Sequence, residues 1–167
     1  GQLINQSAIG TALNLSHVTT QRYAGILERL FLIRRLTPWY TNRLSRLIKT
    51  PKLHFLDSGL LAALRQIDAS SIAADRTLFG PLLETFVVSE VMKLVSWSAG
   101  NYRLSHFRTR EQDEVDIVIE NGRGQIVAIE VKASSTIRSK DSSGLQKLQE
   151  AAGDKFLRGL ILHDHDR

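Results

Sequence analysis

Cysteine is absent from all 167 residues, which excludes a disulfide framework and any thiolate metal site and matches the usage of a reducing cytosol. No apolar run reaches the roughly 18 residues of a membrane-spanning helix, and the N-terminus lacks the basic-then-apolar pattern of a secretory signal. The expectation is therefore a cytoplasmic protein with no membrane partner. No GxxxxGK followed by Ser or Thr occurs, so ATP cannot be cradled by a P-loop within this chain. No glycine fingerprint for a dinucleotide follows a strand, and no Ser, His and Asp triad can be argued from spacing. Acidic residues are scarce in one region. Residues 1–50 hold Glu28 alone against Arg22, Arg29, Arg34, Arg35, Arg43, Arg46 and Lys49, so the whole cationic excess of the chain lies in its N-terminal third. That asymmetry suits a polyanion-facing module joined to a charge-balanced one, although a basic face docking an acidic partner domain fits it as well.

A hydrophobic fraction of 43% is that of a globular protein able to bury a core. In the first third, a short helix through Leu13, a turn at Asn14–Ser16 and a second helix from about Val18 to Phe31 read as a helix-turn-helix, with Tyr23, Ile26, Leu27 and Leu30 as the apolar stripe. Thr20, Gln21, Arg22 and Arg29 are expected on the opposite side. Strands at "FLIRRL" and "KLHFL" flank a long basic loop and would make a wing. In a winged helix the second helix enters the major groove and the wing lies against the backbone, so Arg34, Arg35, Arg43 and Arg46 join the DNA-contacting set. Residues 1–67 form the expected first domain, a linker falls near residues 68–77, and residues 76–167 form the second.

The second domain opens with a strong helix at "FGPLLETFVVSEVMKLVSW". Leu83, Val87, Val88, Val91, Leu94 and Val95 share its apolar face, with Glu84 among them. A carboxylate there has to be paired, protonated, bound to a cation or kept at a wet rim, because an isolated buried charge costs several kcal/mol. Strands follow at "YRLSHFR", "EVDIVIE" and "QIVAIEVKA", then a helix from Ser143 to Ala152 and a final strand "FLRGLILH". Alternation places Val115, Ile117 and Ile119 on one side of their strand. An odd number of residues in the turn between the middle strands would set Asp116 opposite Glu130, with Lys132 beside them; an even number would dissolve the cluster. Three carboxylates with a nearby amine suit a hard divalent cation such as Mg²⁺ or Mn²⁺, while a plain cross-strand Glu and Lys pair is the alternative.

Glu84 on a helix, Asp116, and Glu130-Val131-Lys132 together resemble the PD-(D/E)xK nuclease superfamily. The segments "PKLHFLDSGL", "FGPLLETFVVSEV", "FRTREQDEVDIVIE" and "IEVKAS" make the whole chain similar to the C-terminal region of bacterial and archaeal AAA-type ATPases, the domain-of-unknown-function family 4143. The resemblance implies an α/β chain: an N-terminal winged helix-turn-helix followed by a restriction-endonuclease-like mixed β-sheet flanked by helices, with an ATPase module N-terminal to both. It implies Glu84, Asp116 and Glu130 as metal ligands and Lys132 as the catalytic lysine. Arg108 and Arg110 stand just before the Asp116 strand and are candidates for phosphate contact. Val115 stands where the superfamily has proline.

The partners implied are DNA and the ATPase module of the same polypeptide, with a homo-oligomer open. The expected function is DNA binding with Mg²⁺-dependent phosphodiester hydrolysis. A catalytically inactive docking or regulatory module of the ATPase is one alternative, and a winged-helix regulator whose second domain only dimerises is another.

Overall fold

The computed structural model of the protein describes residues 2–3, 10–40 and 50–164. Seven strands form one mixed sheet in the order β1-β3-β2-β4-β5-β6-β7. These are β1 (Gln2–Leu3), β2 (Ile33–Pro38), β3 (Lys52–Phe55), β4 (Tyr102–Arg108), β5 (Glu114–Asn121), β6 (Ile126–Lys132) and β7 (Phe156–His163). The expected hairpin of β2 and β3 is antiparallel, and it does not stand apart. β2 runs parallel to β4, pairing Thr37 with Ser105 and Pro38 with His106, and so carries the N-terminal third into the same sheet as the rest.

Helix α1 (His17–Arg29) begins at Ser16, whose hydroxyl accepts from the Thr19 amide, and follows the expected turn at Asn14, which has a positive φ. Its orientation differs from expectation. Tyr23, Leu27 and Leu30 are exposed, whereas Thr20, expected to face DNA, is buried and its hydroxyl donates to the Ser16 carbonyl. The flank through Glu28 meets the sheet, where the Glu28 carboxylate accepts from the Arg35 amide at 3.2 Å. Helix α2 (Ser58–Leu64) is capped by Asp57. The expected linker contains helix α3 (Ala69–Ala74), held by a capping box in which Asp68 accepts from the Ser71 amide and the Ser71 hydroxyl accepts from the Asp68 amide. A 3-10 turn at Arg76–Leu78 leads into helix α4 (Phe79–Trp97).

Helix α4 buries Leu82, Thr85, Val88 and Ser89, so its inward face is turned from the one expected. Leu94 lies outside, along with Phe86 and Trp97, while the small Thr85 and Ser89 allow a close approach to the sheet. One core cluster, Val88, Ile117 and Ile129, lies under α4. The other joins Trp39, Phe107, Val115, Val118, Ile126, Ala128, Leu145 and Leu148, the last two from helix α5 (Ser143–Ala152). Val115 thus leaves the side shared by Ile117. The cause is an irregularity in the β4–β5 ladder between Ser105 and Phe107, because one extra residue reverses the alternation beyond it.

The connection from β6 through α5 to β7 is a parallel crossover, as expected. Helix α5 ends at Gly153 with φ of 56°, a conformation that favours glycine. Its start lies so close to β5 that a Cβ on Gly144 would meet the Glu114 carbonyl oxygen at 1.9 Å. Gly144→Ala is expected to cost about 1 to 3 kcal/mol through this clash, read as a lowered thermal midpoint with the far-UV circular dichroism retained.

Candidate functional site

The β5–β6 ladder pairs Ile117 with Ile129 and Val118 with Ala128, and Asp116 and Glu130 stand just beyond its last pair. The five residues between Glu120 and Ile126 form a turn in which the Asn121 amide donates to the Gln125 carbonyl. At this end of the sheet β5 starts, β6 stops, and α4 and α5 begin. Glu84, Glu114, Asp116, Glu130 and Lys132 line a single cavity there of about 600 Å³. The four residues taken from the sequence as the candidate centre are therefore brought together.

Two residues that the sequence pattern does not single out, Glu114 and Lys52, join them, and Lys52 lies at the centre of the carboxylates. Lys52 is 2% exposed. Its ammonium donates to Glu84 Oε1 at 2.9 Å and to Asp116 Oδ1 at 2.8 Å, and it also pairs with Glu114 Oε1. Burial alone would lower the Lys52 pKa, but Asp116, Glu84 and Glu114 outweigh it and hold the group well above the ordinary lysine value. Three further carboxylate oxygens are also engaged. Asp116 Oδ2 accepts from the Val131 amide at 3.0 Å, Glu114 Oε2 pairs with Arg108 at 3.2 Å, and Glu130 Oε1 accepts from Lys132 at 2.6 Å. Glu130 Oε2 is buried without a hydrogen-bond partner. Burial, and then the neighbouring Asp116 charge, push the Glu130 pKa up to about 8.

Mg²⁺ holds oxygens at about 2.0–2.1 Å in near-octahedral geometry. Here three carboxylates from two elements, α4 and β5, surround an ammonium, with oxygens spaced for N–H donation. No cluster of three or more His, Asp or Glu among the described residues is set to hold a metal ion. The donor set, as it stands, fits the lysine and not a divalent cation.

His54 is on the same side of β3 as Lys52, two residues on, and is also buried. Neither ring nitrogen has a hydrogen-bond partner, and Nε2 is 4.0 Å from Glu84 Oε1. Burial pushes its pKa down to about 3; burial and the nearby Lys52 bring His106, whose Nε2 bonds to the Thr50 carbonyl, down to about 4. The signal for Lys52 and His54 was present in "KLHF", where two polar residues share one face of a strand.

The DNA-contacting set is divided. Gln21, Arg22, Arg29, Arg34 and Arg35 line one cleft of about 800 Å³ between α1 and β2. Arg108 faces the acidic cavity and is engaged with Glu114 and Gln112, while Arg110 is exposed. Arg43 and Arg46 lie outside the described residues, as does most of the basic loop.

Residues 79–167 match the model of the domain of unknown function DUF4143, and residues 1–71 match a second, DUF8612, also of unknown function. The first match covers more than half of the chain, which belongs to the DUF4143 family. Similar proteins include uncharacterized proteins of Mycobacterium bovis (Mb2031c) and Mycobacterium tuberculosis (Rv2008c), each 29% identical over 136 residues. That alignment covers 81% of this chain and about 30% of the length of each relative. No solved structure matches significantly. Among the described residues no helix is long and apolar enough to cross a membrane.

The site makes a prediction about pH. Unfolded His54 takes up a proton near its ordinary 6.5 and the folded residue only near 3. The unfolded state therefore binds more protons between these values, and this contribution to stability is lost as pH falls through the window. His54→Leu removes the effect together with two unpaired buried nitrogens. Denaturant midpoints at about pH 7 and pH 5 should fall less in the variant than in wild type on acidification, and an unchanged slope would refute the assignment.

Proposed function

We propose that this chain is the DNA-binding C-terminal part of a larger AAA-type ATPase, acting as a docking and regulatory module and not as a nuclease. In this reading residues 1–67 serve as a winged helix-turn-helix and residues 76–167 as a PD-(D/E)xK nuclease-like domain. One observation carries it: the Lys52 ammonium stands among Glu84, Glu114 and Asp116, where hydrolysis would need a metal ion. Fold alone does not confer an activity, and a nuclease-like sheet can hold DNA without cutting it. The arginine cleft between α1 and β2 supports the DNA half of the reading, since the exposed guanidinium groups of Arg22, Arg29 and Arg34 gathered in a concavity suit phosphate, while Arg35 there is paired with Glu28. The ATPase half rests on the resemblance, and the greater length of the mycobacterial relatives leaves room for such a module.

A second reading, Mg²⁺-dependent phosphodiester hydrolysis, is favoured by the shared cavity of Glu84, Asp116, Glu130 and Lys132. Incubation of plasmid, branched and single-stranded DNA with Mg²⁺ or Mn²⁺ separates the two. No cleavage is expected. Cutting that Asp116→Ala and Lys132→Ala both abolish, with folding intact, would install the second reading in place of the first.

Binding itself is testable by fluorescence anisotropy with a labelled duplex. The logarithm of the association constant should fall with the logarithm of salt concentration, with a slope of about −4 for four phosphate contacts. Arg22→Ala combined with Arg34→Ala should weaken binding and flatten that slope by about 2. A slope that the double variant leaves unchanged would remove the cleft from the interface.

A further inference from the structure

We propose that β7 is a dimerisation edge, which takes β7 of a second copy of this chain as an antiparallel neighbour and joins the two sheets about a twofold axis at Ile161. The inference uses neither the arginine cleft nor the acidic cavity and stands apart from DNA binding.

The backbone is the first ground. β7 ends the strand order, and among the described residues no strand lies beyond it. The Asp164 amide donates to the Lys132 carbonyl at 3.2 Å, so the backbone of Asp164 faces β6. Because this direction alternates along a strand, the backbone groups of Leu162, Leu160 and Arg158 face β6 as well, and those of Ile161 and Gly159 point away from the sheet. Natural sheets blunt such an edge with proline, a bulge, charges or a covering element. From Arg158 to the end of β7 there is one charged residue, no proline and an unbroken register with β6.

Side chains are the second ground. Ile161 packs against the core cluster of Leu145 and Leu148, on the α5 side of the sheet. Alternation sends Arg158, Leu160 and Leu162 to the other side. There α4 packs on β5 and β6 and leaves Leu160 and Leu162 exposed.

Complementarity selects a second copy as the occupant. In an antiparallel pair, residues exchange hydrogen bonds where both backbones point outward, and Ile161 can therefore stand opposite Ile161 of the copy and exchange two. That register sets Leu160 against Leu162 and the exposed Arg158 against Asp164, each contact made twice by symmetry. Arg76 pairs with Asp164 Oδ2, which leaves Oδ1 for the arginine of the copy. Moving the axis to Leu160 would set Arg158 against Leu162 and lose the ion pair.

Sedimentation equilibrium between about 1 and about 200 μM should show the chain moving from monomer toward dimer mass. Over that range hydrogen exchange at the Ile161 amide should slow, while the Leu160 amide, which faces β6, stays slow throughout. Leu160→Lys with Leu162→Lys brings like charges face to face and should lower the association constant about 100-fold with the far-UV circular dichroism retained. Arg158→Glu should weaken association about tenfold, and adding Asp164→Arg should restore it. A chain that stays monomeric overturns the inference. So does a dimer that leaves Ile161 unprotected or survives the lysine substitutions, because it uses another face, such as the exposed apolar residues of α1. A charge-reversed double variant as weak as Arg158→Glu alone overturns the register.

Discussion

A buried ammonium has to be surrounded by oxygen, and most of this structure follows from how that demand is met for Lys52. Removing a charged amine from water costs several kcal/mol, which only well-placed counter-charges and hydrogen bonds return. The counter-charges come from Glu84 on α4 and from Glu114 and Asp116 on β5. Each is itself fixed by something else: Asp116 by the Val131 amide, Glu114 by Arg108, and the start of β5 by the contact with Gly144 of α5. The arrangement is therefore a network, and its members cannot be varied independently.

The same network erases the separation that composition suggests. The basic N-terminal third and the charge-balanced remainder meet as neighbouring parts of one sheet through the β2–β4 pairing. Just beyond β2, Trp39 enters the core around Phe107, and its indole nitrogen donates to Glu120 at 3.0 Å. An arginine-lined cleft beside β2 and an acidic cavity at β5 and β6 are consequently built on one sheet. A change in the position of the β2–β3 hairpin would be felt at both.

Local patterns in the sequence carried the β4–β7 region well. Alternation, the Asn-Gly-Arg-Gly turn and the apolar spacing in α5 specify those elements with little competition from tertiary contacts, and the turn between β5 and β6 has an odd number of residues. What was not legible depended on distant partners. Lys52 is not singled out by its strand pattern and His54 reads as an isolated structural histidine, because a strand does not reveal what covers it. Thr20 falls away from the apolar stripe of Tyr23, Ile26, Leu27 and Leu30 and so reads as outward, whereas here it is buried and donates a hydrogen bond to Ser16. The tilt of α4, which buries Thr85 and Ser89 and leaves Leu94 outside, came from the close approach to the sheet. The irregularity between Ser105 and Phe107, which moves Val115 to the other core, has no glycine or proline to announce it.

The parallel contact between β2 and β4 also bears on how the chain is made. A ribosome delivers Lys52 well before Glu84, Glu114 and Asp116, at about 5 to 20 residues per second. During that interval the nascent hairpin can keep its amine only in water. The N-terminal third must therefore wait, incompletely packed, until β5 has emerged, and commitment to the native sheet comes late in translation, when the acidic strand arrives.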